Sequence, residues 1–310
     1  MRITVTGGAG FVGSCLLPVL LNEGHDVTVL DSLHCGYYGL LPHLGNPRFH
    51  FVHGDIRNTK MLREAVKDAD FVVHLAAIVG YPACQAQPQL ARAVNHLATR
   101  KLVQTCTAPI LFSSTGSCYG NITDECTEDS PIDPITLYGK TKVLAEQEIR
   151  KHKDFVILRF STGFGMSLRP RLDLLVNDFV MQAVKNKELI VFEKDYRRAF
   201  IHVQDMVRAI NFTITHFNQM NHETYNVGSH SLNLTKEDVA LHIKKFTDFY
   251  LKFAEFGHDP DKRNYNVNFD KINKIGFKTR YSLDYGIKEV MAALQFLDPK
   301  VEFFNNKVYQ

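Results

Sequence analysis

The segment MRITVTGGAGFVGS, residues 1–14, decides the fold of this chain of 310 residues. The stretch from Arg2 to Thr6 is short and rich in β-branched residues, which predicts a strand. Glycines follow at once, and the apolar spacing from Phe11 to Asn22 predicts a helix. A strand, a glycine-rich turn and a helix in this order indicate the first unit of a parallel α/β sheet.

The same alternation continues through the first half of the chain. Further strands are predicted at 27–30, 49–53, 71–75, 109–113 and 155–160, and helices at 59–67, 89–105 and 137–151. Strands that are separated by helices lie parallel, with helices on both faces of the sheet. We therefore predict an α/β fold, a Rossmann-type doubly wound parallel sheet, over residues 1–160.

The alternation breaks down after residue 160. Gly, Pro, Arg and Asn enter the connections, as in GFGMSLRPRLDLLVND at residues 163–178. This composition is typical of irregular segments that surround a ligand. We predict a smaller C-terminal substrate-binding lobe over residues 161–310, and we expect a helix near 203–216 to rejoin the larger domain.

Composition excludes several kinds of partner. The net charge is +3, from 36 basic and 33 acidic residues, so we expect neither nucleic acid nor a membrane as partner. The chain starts in a strand rather than in an apolar leader, and no stretch approaches the roughly 20 apolar residues that span a bilayer. The six cysteines are scattered, without the spacing of a metal site. We expect a cytoplasmic protein with free thiols and no metal.

The glycine-rich turn has the properties of a phosphate-binding site. Gly7, Gly10 and Gly13 permit a tight turn, so that backbone N–H groups and the positive end of the helix approach a pyrophosphate. Asp31, at the end of the second strand, can accept hydrogen bonds from ribose hydroxyls and repels a 2′-phosphate, and residues 32–36 contain no Arg or Lys. We predict NAD as the cofactor. The alternative is a purely structural turn, with Asp31 as a turn residue.

A proton-transfer group is predicted in YGKTK, residues 138–142. Tyr138 and Lys142 are four residues apart on a predicted helix and therefore project from one face. A nearby ammonium favours the phenolate form of a tyrosine, which can then take a proton from a hydroxyl. The strand that precedes this helix ends in hydroxyl residues, and we predict that Thr115, or alternatively Ser114, orients the reacting hydroxyl; the alternative is that these hydroxyls only satisfy the turning backbone.

Several motifs in order carry a family resemblance. They are TGGAGFVG, Asp31, GDIRN at 54–58, HLAAIVG at 74–80, FSSTGSCYG at 112–120, YGKTK and LRFSTGFG at 158–165. With them the chain resembles the NAD-dependent nucleotide-sugar epimerase/dehydratase family of extended short-chain dehydrogenases/reductases, to which UDP-galactose 4-epimerases belong. The resemblance implies an enzyme that removes and returns a hydride at a sugar carbon, C4, with Thr115, Tyr138 and Lys142 as its catalytic residues.

The resemblance also implies which residues bind NAD. Asp55 and Ile56 would flank the adenine, and Phe160 and Ser161 would adjoin the nicotinamide. The whole predicted set comprises Gly7, Gly10, Phe11, Val12, Gly13, Asp31, Ser32, Asp55, Ile56, Leu75, Ala76, Ala77, Asn95, Ser113, Tyr138, Lys142, Phe160 and Ser161.

The implied substrate is a nucleotide-diphosphate sugar bound by the lobe. Asn177 and Arg198 are the predicted diphosphate contacts, and Arg263 is a further candidate because a guanidinium suits phosphate. Thr115 and Thr162 complete the predicted substrate residues. For each arginine the alternative is a solvated surface charge.

The chain departs from the dehydratases of this family at one point. They place an Asp-Glu pair directly after the threonine, where this chain has Gly116 and Ser117. A 4-epimerase, a 4-dehydrogenase and a keto-sugar reductase remain. The segments AAIVGYPAC at 76–84, RLDLLVNDF at 171–179 and DPDKR at 259–263 are similar to a branch that includes GDP-heptose 4-dehydrogenases.

Two alternative functions remain open, and the helices also indicate an oligomeric state. The rivals are a non-catalytic NAD-binding sensor or scaffold and a reductase of small free carbonyl compounds. The helices at 89–105 and 137–151 match those that the family pairs between subunits. We therefore expect a homodimer, although the apolar positions of these helices could instead be covered within one chain.

Overall fold

A seven-stranded parallel sheet forms the centre of the molecule. The structure is a computed structural model that describes residues 1–255, 264–298 and 306, with Thr123 and Asp124 described by their backbone alone. The strands, in chain order, are β1 Arg2–Thr6, β2 Asp26–Asp31, β3 Phe49–His53, β4 Phe71–His74, β5 Ile110–Thr115, β6 Asn121–Cys126, β7 Phe155–Phe160, β8 Thr162–Phe164, β9 Glu188–Phe192, β10 Arg197–His202, β11 Glu223–Val227, β12 Asn233–Thr235, β13 Tyr250–Ala254 and β14 Asn264–Val267. The central sheet has the order β11-β7-β5-β4-β1-β2-β3, and the predicted Rossmann-type fold is confirmed.

Helices connect these strands. They are α1 Gly13–Asn22, α2 Thr59–Val66, α3 Tyr81–Ala86, α4 Pro88–Arg92, α5 Ala98–Thr105, α6 Leu137–Ile149, α7 Leu175–Met181, α8 Val203–Thr215, α9 Phe217–Met220, α10 Lys236–Lys244, α11 Asp270–Lys274 and α12 Leu283–Ala293. The single helix that we predicted at 89–105 is divided, because a π-helical turn, Ala93–Leu97, lies between α4 and α5.

The apolar strands explain why the sheet is buried on both faces. Strand β7, FVILRF, is buried at every position. One apolar cluster covers one face and includes Val156 and Leu158, while a second covers the other and includes Phe155 and Ile157. Residues that alternate between two buried faces are typical of a doubly wound sheet. The ligand-binding edge is therefore the carboxyl edge of the strands.

Later parts of the chain complete the central sheet. Strand β11, Glu223–Val227, pairs in parallel with β7 and is the seventh strand, which the sequence analysis did not predict. Helix α8 packs against α1 and shares its apolar cluster. The large sheet is thus built mainly from residues 1–160 but ends on a strand from beyond them.

Smaller sheets and a third apolar cluster make up most of the remaining chain. Strands β12, β10 and β8 form one sheet, β13 pairs with β9, and β14 pairs with β6. The loop between β8 and α7 and the helix α7 itself contribute Leu172 and Val176 to this third cluster. Within the described ranges, no helix combines the length and apolar character that a membrane span requires.

Candidate active site

A cavity of about 410 Å³ opens at the carboxyl edge of the central sheet. Its wall includes every predicted cofactor residue except Asn95, together with Thr115 and Thr162 from the predicted substrate set. In this arrangement the glycine turn, the strand-end acid and the Tyr-Lys pair share one space. Their individual roles stay predictions at this point.

The glycine turn is closed tightly against the next strand. Gly7 has φ of +76°, and a Cβ atom there would lie 2.7 Å from the backbone of Ala76. A Cβ on Gly13 would lie 2.6 Å from the Cα of Gly8. Only glycine fits both positions, because these neighbours are backbone atoms that cannot rotate away. The turn therefore lets a ligand approach the start of α1 closely, where Phe11 and Val12 line the cavity.

Asp31 is held in place by the turn that it faces. Its Oδ2 accepts a hydrogen bond from the backbone N of Ala9 at 3.0 Å, and its Oδ1 accepts one from the backbone N of Leu33 at 2.8 Å. Burial raises the pKa of Asp31, while these two N–H donors act in the opposite direction. Each carboxylate oxygen retains a lone pair that can accept from a ribose hydroxyl.

The catalytic candidates meet where β5 ends and α6 begins. Thr136 caps α6 by accepting from the backbone N of Gly139, and this cap fixes the first turn that carries Tyr138. The Thr115 hydroxyl donates to Ser117 Oγ at 3.0 Å and accepts from the Ser117 backbone N at 3.1 Å. Thr115 is thereby oriented before any substrate arrives.

Lys142 belongs to the same cavity wall and is buried there. It is 2% exposed, and its Nζ lies 4.1 Å from the centroid of the Phe112 ring. Burial lowers the pKa of Lys142 to about 7, although the negative charge of Glu146 acts in the opposite direction. A cation in this position has lost most of its hydration, so it interacts strongly with any polar group that enters the cavity.

Replacing Lys142 by methionine should stabilise the cofactor-free protein at neutral pH. The folded state releases the Lys142 proton at a pH of about 7, whereas the unfolded state keeps it up to the ordinary value of 10.5, so the free energy of unfolding rises with pH across that window. The melting temperature of Lys142→Met should exceed that of the wild type by a few degrees near pH 7, and the gain should shrink towards about pH 10. Thermal unfolding of both proteins at the two pH values measures this difference in melting temperature. An equal gain at both pH values would contradict the lowered pKa of Lys142.

A buried ion pair holds α6 against the sheet. Glu146 and Arg159 are 3% and 2% exposed at their side chains, and they form two parallel bonds, Nε to Oε1 at 3.0 Å and Nη2 to Oε2 at 2.8 Å. The Ser114 hydroxyl also donates to Glu146. Ser114 is therefore engaged by this network, while Thr115 remains the better candidate for orienting a substrate hydroxyl.

Three predicted residues lie outside the cavity wall. Asn95 is buried and binds both backbone polar groups of Ile78, so it shapes the loop after β4 rather than lining the site. Asn177 is buried and binds the backbone of Gly165 and Arg171. Arg198 is 2% exposed and faces the Tyr265 ring. Diphosphate binding by Asn177 and Arg198 stays a prediction, and Arg263 lies outside the described residues.

The lobe contributes residues that the sequence analysis did not single out for the site. Arg169 and Arg171 lie on the loop between β8 and α7, Tyr265 on β14, and Asn306 near the end of the chain, and all four line the cavity. Arg171 pairs with Asp173 through two bonds of 2.7 Å. RPR at 169–171 was the available signal, because two guanidinium groups close together in an irregular segment suit an anionic ligand.

A buried hydroxyl supports a ligand in this cavity. Ser161 Oγ is buried at the cavity wall, and none of the described residues forms a hydrogen bond with it. A polar atom of a bound dinucleotide could provide the missing partner. Together with the glycine turn and Asp31, this orphan group shows that the residues present fit NAD. Within the described ranges, no group of three or more His, Cys, Asp or Glu side chains could hold a metal ion.

The fold and the cavity define a dinucleotide-dependent α/β enzyme with a tyrosine-lysine pair. The chain belongs to the NAD-dependent epimerase/dehydratase family, whose pattern matches residues 3–228. NAD is accordingly its cofactor.

Individual relatives cover both activities in the family name. A UDP-glucose 4-epimerase from Halalkalibacterium halodurans is 30% identical over 67% of this chain and 69% of its own. The structure of a UDP-glucuronic acid 4-epimerase from Bacillus cereus superimposes with a TM-score of 0.85 at 26% identity, over 95% of this chain and 99% of its own. DesIV, a dTDP-glucose 4,6-dehydratase from Streptomyces venezuelae, gives a TM-score of 0.84 at 26% identity, over 96% and 98%.

Proposed function

We propose that this protein is a 4-epimerase of a nucleotide-diphosphate sugar. The observation that supports it is one cavity that joins three features: the NAD-binding turn with Asp31, the group Thr115, Tyr138 and Lys142, and the lobe arginines. Relatives named as UDP-glucose 4-epimerase favour this reaction and make a UDP-hexose the first substrate to test.

The reaction begins with removal of a proton from the C4 hydroxyl. Thr115 binds that hydroxyl, and Tyr138 takes its proton as general base. The buried Lys142 stabilises the phenolate form of Tyr138. Bound NAD would supply the acceptor for the C4 hydrogen as hydride and then the donor for its return. Tyr138 gives its proton back to the same oxygen when the 4-keto sugar is reduced on the opposite face of its carbonyl.

The residues after Thr115 oppose a dehydratase. Elimination of water from the sugar needs an acid and a base beside the keto intermediate. Gly116 has no side chain, and the Ser117 hydroxyl accepts a bond from Thr115. Neither residue supplies a carboxyl group, so the acid and base that elimination of water needs are missing at these two positions.

A 4-dehydrogenase is the second candidate. Residues 79–81 belong to the segment that is similar to GDP-heptose 4-dehydrogenases, and they line the cavity. A dehydrogenase performs the same oxidation but releases the keto sugar and leaves NADH. The distinction therefore lies in the fate of the hydride rather than in the identity of the base.

A panel of nucleotide sugars tests the proposal. The protein, loaded with NAD, is incubated with UDP-, GDP-, CDP- and dTDP-sugars while NADH absorbance and sugar NMR spectra are recorded. We expect a C4 epimer without net NADH. Stoichiometric NADH with a keto sugar would replace the epimerase by the dehydrogenase. Tight NAD binding without turnover of any sugar in the panel would instead favour a non-catalytic sensor.

We also propose that the chain forms a homodimer through α6 and the helical segment at 88–105. Leu97 and Leu144, one on each element, are both 39% exposed. Pairing two copies would cover these leucines, which favours association. Light scattering should give the mass of two chains, and the double variant Leu97→Glu/Leu144→Glu should give the mass of one. A wild-type mass of one chain would contradict the dimer.

A further inference from the structure

Asn306, close to the end of the chain, is part of the cavity wall. Its side chain is buried, with 5% of the residue exposed, and it lines the cavity together with Arg169 and Val79. Val79 follows β4 on the central sheet, whereas Arg169 follows β8 on the lobe side. A residue from the C-terminal segment thus lies between the two halves of the site.

The amide of Asn306 binds both halves at once. Its Oδ1 accepts a hydrogen bond from Arg169 Nη2 at 2.6 Å, and its Nδ2 donates to the backbone oxygen of Val79 at 3.1 Å. The bonded partners are 137 and 227 residues away in the chain. An amide suits this position because it offers an acceptor to the guanidinium and a donor to the carbonyl.

The bond to Arg169 matters because a guanidinium is costly to bury. Arg169 is 4% exposed, and a buried cation requires polar partners in a defined geometry. The backbone of its loop is fixed independently, since Ser167 Oγ donates to the Arg169 carbonyl and Asn177 binds the carbonyl of Arg171. Asn306 therefore acts on the guanidinium itself, which is the group that can meet a ligand.

We propose that Asn306 is a positioning residue for substrate binding, which holds the Arg169 guanidinium at the cavity so that it binds an anionic oxygen group of the substrate. This inference rests on the proposed nucleotide-sugar substrate. The anionic group belongs either to the diphosphate or to a carboxylate on the sugar. A guanidinium binds both with paired N–H donors, and both gain from a cation that is already in place.

The variant Asn306→Leu tests this role, with Gln295→Leu as the matched control. Gln295 is an exposed amide just after α12, outside the cavity wall. In Asn306→Leu we expect KM for the nucleotide sugar to rise about tenfold or more, whereas kcat and the Kd for NAD change less than about threefold, because a lost charge-assisted bond of this kind costs about that factor. The control should leave all three unchanged.

A comparison of UDP-glucose with UDP-glucuronic acid shows whether the anionic group is the diphosphate or a carboxylate on the sugar. If Arg169 binds the diphosphate, KM rises for both substrates in Asn306→Leu. If it binds a sugar carboxylate, KM rises for UDP-glucuronic acid alone. An unchanged KM for both would overturn the proposal, and a lower melting temperature in that case would show that Asn306 contributes to stability only.

A double-mutant cycle with Arg169→Met tests whether Asn306 acts on substrate binding through Arg169. If Asn306 acts through Arg169, the double variant should have a KM no higher than that of Arg169→Met alone. Additive increases in KM would overturn the proposal. Failure of the wild type to turn over any nucleotide sugar would reject the proposed function itself. This outcome concerns the wild type alone, so it is distinct from any difference in KM between the variants.

Discussion

Replacing Tyr138 by phenylalanine should lower kcat by about a thousandfold, because the variant lacks the group that takes the substrate proton. The two side chains differ by one hydroxyl, and Tyr138 is only half-buried at the cavity wall. The fold and the site of NAD binding should therefore be retained. Steady-state turnover and the Kd for NAD measure the two effects separately.

Tyr250→Phe provides the control for this substitution. Tyr250 is 62% exposed and lies on β13, outside the cavity wall. Its variant loses the same hydroxyl at a remote place and should turn over normally. If Tyr138→Phe also keeps near-normal turnover, Tyr138 is not the general base and the mechanism is wrong.

The second large effect concerns stability. Glu146→Gln should lower the free energy of unfolding by about 3–5 kcal/mol, because it leaves the buried Arg159 guanidinium without its counter-charge. Urea unfolding measures the loss. Glu64→Gln is the control, since the Glu64–Lys67 pair is exposed and its removal should cost at most about 1 kcal/mol.

Removing both charges tests the cause of this loss. The double variant Glu146→Gln/Arg159→Leu contains no buried unpaired cation and should recover a large part of the lost stability. If the double variant is less stable than Glu146→Gln, the loss does not come from an uncompensated charge. A loss of less than about 1 kcal/mol in Glu146→Gln would also contradict the interpretation.

The first half of the fold could be predicted because its signals are local. The strands of residues 1–160 in the central sheet are short runs with apolar or β-branched residues that alternate regularly with helices, as a parallel sheet requires. Strand β11, ETYNV, was missed because it is short and lies after residue 160, where this regular alternation breaks down. Its identity depends on pairing with β7, a contact between residues about 67 positions apart in the chain.

The site residues likewise fall into those that local motifs predict and those that only the complete fold brings together. The glycine turn, Asp31, Tyr138 and Lys142 belong to motifs in which spacing alone implies proximity. The role of Asn306 could not be predicted from sequence spacing, because only the complete fold brings its partners Arg169 and Val79 close to it. Asn177 carried a motif signal, yet its amide is used to fix the backbone at Gly165 and Arg171.

The fate of the C4 hydrogen tests the central claim most directly. UDP-glucose that carries deuterium at C4 is incubated with the NAD-loaded protein, and sugar and cofactor are analysed by NMR and mass spectrometry. The account predicts a C4 epimer that retains its deuterium at C4, formed more slowly than from unlabelled substrate. Deuterium recovered on released NADH would contradict the epimerase. A product that keeps both its deuterium and its original configuration at C4 would contradict oxidation at C4 altogether.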